Sequence, residues 1–178
     1  MSDLLEKARK ALAVLRGRFA LRNARLGSMV QVYGRLLVHT AGTIEIGDRC
    51  RFSAVMGGLE LGTGPDGTLR IGENTFINYG TSISAMERVT IGRDCNIGTY
   101  CAIMDNDFHR IEPDRRYELP ESGPITIGDG VWIGGHVIVL KGVTIGDHSV
   151  IAAGSIVTKD VPPRSVAVGA PAKVVREI

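Results

Sequence analysis

The sequence predicts an all-β fold, a hexapeptide solenoid of short stacked strands, with a short α-helix before it and a tail after it. The first observation is a period of six. An aliphatic residue returns at Ile127, Ile133, Val139, Ile145, Ile151 and Val157, followed by a small residue at Gly128, Gly134, Gly146 and Ala152. That spacing fits neither an amphipathic helix nor an alternating strand, and it is the spacing at which each six residues make one strand and one turn. The second is composition: 23 glycines in 178 residues with 5% aromatics call for many tight turns around small aliphatic side chains.

Three sixes close a triangular coil of about 18 residues. Ile127 is therefore expected to lie under Ile145, and Ile133 under Ile151. The chain divides into a basic amphipathic helix over residues 1–25, a solenoid over 30–161, and a tail over 162–178. Ser2 and Asp3 can cap the helix, which runs to about Ala20. Leu4, Leu5, Ala8, Leu12, Leu15 and Phe19 recur on one face, with basic residues on the other. Seven of the first 25 residues are Lys or Arg and two are acidic, a local +5 within a chain of net +2. Such a helix can pack on the first coil or a neighbouring subunit, or lie on an anionic membrane surface. No aromatic or base-reading pattern accompanies the charge, so nucleic acid is not an expected partner.

The early coils are irregular, with a turn at Pro65–Gly67. Regular sixes run from Ile71 to Ile103, stop, and resume at Ile125. The intervening segment 105–124, DNDFHRIEPDRRYELPESGP, is charged and Pro-rich and reads as a loop thrown out of the solenoid. Loops on rigid scaffolds carry function. Cys50, Cys95 and Cys101 form no CxxC pair and suit reduced, buried thiols in a cytoplasmic protein. No apolar run approaches the ~18 residues that span a membrane, and no signal-peptide core is present.

Three stretches carry a resemblance: the repeat itself; DNDFH at 105–109 with PITIGDGVWIG at 124–134; and GVTIGDHSVIAAGSIVTKDVPP with VGAPAKVVREI at the end. Together they resemble the hexapeptide-repeat acyltransferases, in the branch of sugar and polysaccharide O-acetyltransferases of the galactoside and maltose type. The resemblance implies a left-handed parallel β-helix, a homotrimer with sites between prisms, and acetyl-CoA as donor to a hydroxyl of a glycoside or surface-polysaccharide precursor. It implies a cytoplasmic enzyme, working at the inner membrane surface if residues 1–20 touch lipid.

Moving acetyl from a thioester to an alcohol needs a base, an oxyanion donor, a slot for pantetheine and an acceptor pocket. Histidine is the natural base, since its ordinary pKa of about 6.5 lies near working pH. Of four histidines, His109 lies in the loop and matches the family's catalytic position. His136 and His148 fall at corners of regular sixes, and His39 has no assigned role. Asp105 and Asp107 can orient the imidazole or hold the acceptor, or simply cap turns. Asn78 and Trp132 match acceptor-side and groove positions in the family. Gly135, Ala153, Thr158, Lys159, Lys173 and Arg176 match its coenzyme-binding positions, the small residues admitting the pantetheine arm and the cations suiting its phosphates. The galactoside branch has a carboxylate where this chain has Met86, and its loop is one residue shorter, which points away from galactoside or maltose as acceptor. No metal is expected. The rival readings are acetylation of an antibiotic or nucleotide-sugar amine, and a non-catalytic or metal-binding β-helix.

Overall fold

A computed structural model describes residues 2–178. Helix α1 (Ser2–Ala20) leads into a parallel solenoid of three walls. Wall A stacks β1 (Arg25–Leu26), β3 (Thr43–Ile46), β5 (Thr68–Ile71), β8 (Arg88–Ile91), β11 (Ile125–Ile127) and β14 (Thr144–Ile145). Two long strands, β2 (Gln31–Thr40) and β4 (Arg51–Thr63), then bend across a corner and serve both other walls. Wall B continues from their first halves through β6 (Phe76–Asn78), β9 (Asn96–Ile97), β12 (Trp132–Ile133), β15 (Val150–Ile151) and β17 (Ser165–Gly169). Wall C continues from their second halves through β7 (Ser82–Ala85), β10 (Ala102–Met104), β13 (Ile138–Val139) and β16 (Ile156–Val157).

The expected stacking is observed, with Ile127 paired to Ile145 and Ile133 to Ile151. The solenoid opens at β1, ahead of residue 30. The tail is extended and folds back along the coils: β17 adds to β15, and β18 (Ala172–Glu177) returns antiparallel along it.

Each six buries two side chains rather than the single one that the sequence pattern advertises. Val131 and Ile133, then Val137 and Val139, are all at most 1% exposed. Near two corners the extra inward position holds a small residue with a donor. Thr75 Oγ1 donates to Gly92 O at 2.8 Å and Thr81 Oγ1 to Gly98 O at 2.9 Å. Cys50, Cys95 and Cys101 do the same with their thiols, to Gly72, Gly128 and Gly134 carbonyls at 3.0, 3.1 and 3.1 Å. Ser, Thr and Cys are interchangeable here because each sets a donor one atom beyond Cβ. Burial pushes the Cys50 and Cys95 thiols up to about 11. The glycines after the inward aliphatics are steric necessities, since a Cβ on Gly128 would lie 2.8 Å from the amide nitrogen of Asp147 one coil away.

Helix α1 does not bury its apolar face. It touches the first coil through Ala13 and Gly17, both buried, and a Cβ on Gly17 would come within 2.6 Å of the Val30 carbonyl oxygen. Leu4, Leu5, Leu12, Leu15 and Phe19 remain 49–75% exposed. The capping expectation for the Ser2 side chain lies outside the described residues, and Asp3 pairs with Lys7 at 2.7 Å.

Candidate active site

The loop 105–124 leaves wall C at the end of β10 and returns at the start of β11. Its neck is closed by Gly123 N donating to Asp105 O at 2.8 Å. Inside the loop, Asn106 Nδ2 donates to Pro120 O at 3.0 Å and Ser122 Oγ at 2.8 Å, while its Oδ1 accepts from Phe108 N at 2.6 Å. A single 3₁₀ turn at Pro113–Arg115 reverses the chain at the far end. These local bonds let a segment with almost no apolar core hold one shape.

The loop presents His109 to solvent, with Nδ1 3.1 Å from the carbonyl oxygen of Arg116. A carbonyl can only accept, so in the neutral ring Nδ1 carries the proton and Nε2 is the basic nitrogen. This orients a base without a carboxylate partner.

For Asp105 the structure favours the turn-capping alternative over a role toward imidazole or acceptor. The residue is wholly buried, and its carboxylate accepts from the amides of Met86, Glu87 and Arg88 at 2.7, 2.8 and 2.7 Å. With its oxygens engaged by the A–C corner it neither orients the imidazole nor receives an acceptor; it anchors the loop. Asp107 is half-exposed and pairs with Lys141 at 2.7 Å, and Lys141 also donates to Glu121 O at 3.0 Å. One lysine of the next coil therefore ties down both limbs of the loop. Sequence reasoning passed over Asn106 and Lys141; the polar residue after Asp105 and the lone cation just after β13 were the available signals.

A groove of about 310 Å³ lies on wall C beside the loop, lined by His39, Glu60, Ser82, Ser84, Met86, Met104 and Phe108 among others. Ser82 Oγ lies 3.2 Å from Glu60 Oε2, and His39 Nε2 lies 3.6 Å from Glu60 Oε1. Carboxylate, hydroxyls and imidazole around an apolar floor form a set that can bind a polyol. His39 carried no role in the reading of the sequence, and the outward serines of β7 hid within a regular strand.

The coenzyme-matched residues fall into three groups. Gly135 and Ala153 share the B–C corner one coil apart, where Gly154 N donates to Gly135 O at 2.9 Å. Thr158 and Lys159 follow β16 at the opposite end of wall C, and both are exposed. Between them the outer face of wall C offers Ile138 and Leu140, 38% and 39% exposed, a narrow apolar strip. Lys173 and Arg176 lie away from it, exposed on β18 beside wall B. Asn78 and Trp132 are also on wall B, where they line a recess of about 340 Å³ with Phe76 and Asn96. The chain alone brings Asn78 and Trp132 together but does not bring them to His109. His136 and His148 sit at corners with φ of 58°, in the left-handed region, and His136 stacks on Tyr100 at 5.1 Å.

A larger cleft on wall A, about 680 Å³, is bordered by ion pairs that satisfy one another, Glu45 with Arg25 and Arg70 and Asp129 with Arg93. The Arg70 guanidinium beside Glu45 holds its carboxyl below the usual range. Among the described residues no group of three or more His, Cys, Asp or Glu is placed to hold a metal ion.

Comparison with known proteins agrees with the repeat and the fold. Residues 124–159 match the family model described as bacterial transferase hexapeptide (six repeats). The galactoside O-acetyltransferase of Escherichia coli (strain K12) is 45% identical over 117 residues, covering 62% of this chain and 54% of that protein. The chain spans about half the length of the curated relatives that it matches. A hexapeptide-repeat-containing acetyltransferase of Vibrio cholerae, solved with acetyl coenzyme A, superposes with a TM-score of 0.66 at 31% identity, over 97% of this chain and 77% of that one. A galactoside acetyltransferase in complex with coenzyme A gives a TM-score of 0.63 at 40% identity, over 72% of this chain and 64% of that one. At 31% identity along most of the Vibrio protein, with the six-residue repeat matched by the family model, this chain belongs to the hexapeptide-repeat acetyltransferase family.

Proposed function

We propose that this chain transfers an acetyl group from acetyl-CoA to a hydroxyl of a sugar, a glycoside or surface-polysaccharide precursor, with His109 as general base. The observation that carries the reading is the His109–Arg116 hydrogen bond, which leaves Nε2 as a free base on an exposed loop beside a polyol-sized groove. Coenzyme A supplies the acetyl group as a thioester, which an alcohol attacks once its proton is removed. His109 Nε2 takes the acceptor proton as the C–O bond forms, and returns it to the thiolate as the C–S bond breaks. Glu60, Ser82 and Ser84 hold the acceptor's other hydroxyls.

The residues present fit the donor. The strip at Ile138 and Leu140 suits an apolar arm, and Gly135 and Ala153 keep the adjacent corner free of bulk. Lys159 is a solvent-facing cation for phosphate. Asn78, Trp132, Lys173 and Arg176 lie on or beside wall B, so they serve a neighbouring prism's His109. We accordingly read the enzyme as a homotrimer of incomplete sites, acting in the cytoplasm. Support for donor and acceptor class comes from the relatives named above.

The test is release of free thiol from acetyl-CoA across a panel of sugars, glycosides, amino sugars and aminoglycosides. Sugars lacking an amine should be acetylated, and His109→Ala should lower turnover by ~10²-fold or more while coenzyme binding persists. Near-normal turnover by that variant, or exclusive use of amines, would overturn the assignment.

A further inference from the structure

We infer that α1 and the first coil form a docking surface for an anionic lipid bilayer, with the helix lying in the plane of the interface. The inference is independent of the chemistry proposed for the loop.

Three observations converge. At about 100° per residue, Leu4, Leu15, Phe19, Leu12 and Leu5 cover about 100° of the helix circumference. Ala13 and Gly17, which seat the helix on β2, lie roughly 150° round from the centre of that arc. The apolar face is thus turned away from the prism, and its large side chains are 49–75% exposed. A helix needed only to cap the first coil would turn its leucines inward instead; this one uses its smallest residues for that contact.

Second, the exposed face does not end at the helix. It runs into a cleft of about 650 Å³ between α1 and β2, lined by Leu12, Leu15 and Phe19 on one side and Leu37 and Val38 on the other. Helix and outermost strand together make one apolar end of the solenoid.

Third, the rim is cationic. On the helix, Arg18 flanks the apolar arc on one side and Arg16 on the other, with Lys7, paired to Asp3, beyond Arg18. Arg16, Arg22 and Arg35 border the cleft, and the Arg22 guanidinium lies 5.4 Å from the Phe19 ring centre. An apolar stripe bordered by Lys and Arg is the pattern of helices that bury ~5–10 Å into the headgroup region of anionic membranes. Charge decides between occupants. A second copy docked face to face through this end would bring two +5 segments together, whereas an anionic surface neutralises them. A neighbour in a ring, which would meet the helix with a different surface, is separated from lipid by the oligomeric-state arm of the test. Insertion need not be deep, and among the described residues no helix is long and apolar enough to cross a membrane.

Flotation of the full chain with vesicles tests this, using phosphatidylcholine with and without phosphatidylglycerol. The chain should float with the anionic vesicles, stay in solution with the neutral ones, and detach as salt rises. The double variant Leu15→Asp/Phe19→Asp and the double variant Arg16→Glu/Arg18→Glu should each cut bound protein roughly tenfold. Circular dichroism and thermal unfolding of both report whether the solenoid is intact, and the salt dependence of the unaltered chain stands even where a variant is not. Failure of the unaltered chain to bind anionic vesicles at low salt would overturn the inference. So would a change in oligomeric state of the folded Leu15→Asp/Phe19→Asp variant without loss of binding, because the face would then belong to a second copy.

Discussion

Nδ1 of His109 lies 3.1 Å from the carbonyl oxygen of Arg116, so the loop's own backbone fixes which imidazole nitrogen is basic. Asparagine at 109 retains an N–H that can reach such a carbonyl but offers no titratable base. His109→Asn should therefore leave the fold and thermal stability close to those of the unaltered chain. Acetyl transfer should drop by ~10²-fold or more. Steady-state thiol release, beside a melting curve, checks both halves; a variant that keeps its activity shows that the nitrogen is not used as a base.

Asp105 accepts three amide protons from residues 86–88 while wholly buried. Removing the carboxylate strands those donors, and each unsatisfied buried group costs about 1–3 kcal/mol. Asp105→Ala should thus lower stability by at least ~3 kcal/mol, with activity lost through the displaced loop. Asp105→Asn, which keeps one good acceptor, should fall between. Denaturant unfolding of the three proteins gives the order, and equal midpoints would refute the anchoring role.

Lys141 holds Asp107 and the Glu121 carbonyl at once. The ion pair is partly exposed, so its loss should cost stability no more than about 1 kcal/mol. The effect on turnover should be larger, roughly tenfold, because a displaced loop misplaces the base. Lys141→Met, assayed for melting temperature and for kcat with KM, separates the two; a large fall in Tm with unchanged turnover would reverse this reading.

Burial pushes Cys50 and Cys95 up to about 11 from an ordinary 9.0, so both thiols stay protonated in the native state at neutral pH. Native protein should react with thiol reagents far more slowly than unfolded protein. Because the folded pKa is raised, this contribution to stability is complete below about pH 9 and is lost as pH climbs toward about 11. Melting temperatures from pH 7 to 10.5 should show the decline at the alkaline end. In Cys95→Ser the hydroxyl inherits the thiol's bond to Gly128, and that variant should flatten the decline.

The solenoid was legible because its rule is local and repeated. Ile127 over Ile145 follows from counting alone. The second buried residue in each six was not, because Val131, Cys95, Thr75 and Ser149 share size and not polarity, and a hydrophobic count misses a column of mixed chemistry. The loop and His109 stood out as a break in that rule. Asp105 could not be distinguished from a catalytic acid by sequence, since its role depends on amides 17–19 positions earlier that only coiling brings near. Helix α1 was recognisable by its period, but not the side it turns to the solenoid: the seam is chosen by the close approach at Gly17, which a leucine-rich arc conceals.

The bond from Gly123 N to Asp105 O, 2.8 Å long, has an evolutionary side. Because entry and exit meet at one hydrogen bond, β10 and β11 register with their neighbours however many residues lie between. Insertions, deletions or wholesale replacement inside the neck leave every ladder of the solenoid in phase. The scaffold can stay fixed while the segment bearing His109 is exchanged like an interchangeable cartridge, and new acceptors become reachable without refolding the protein.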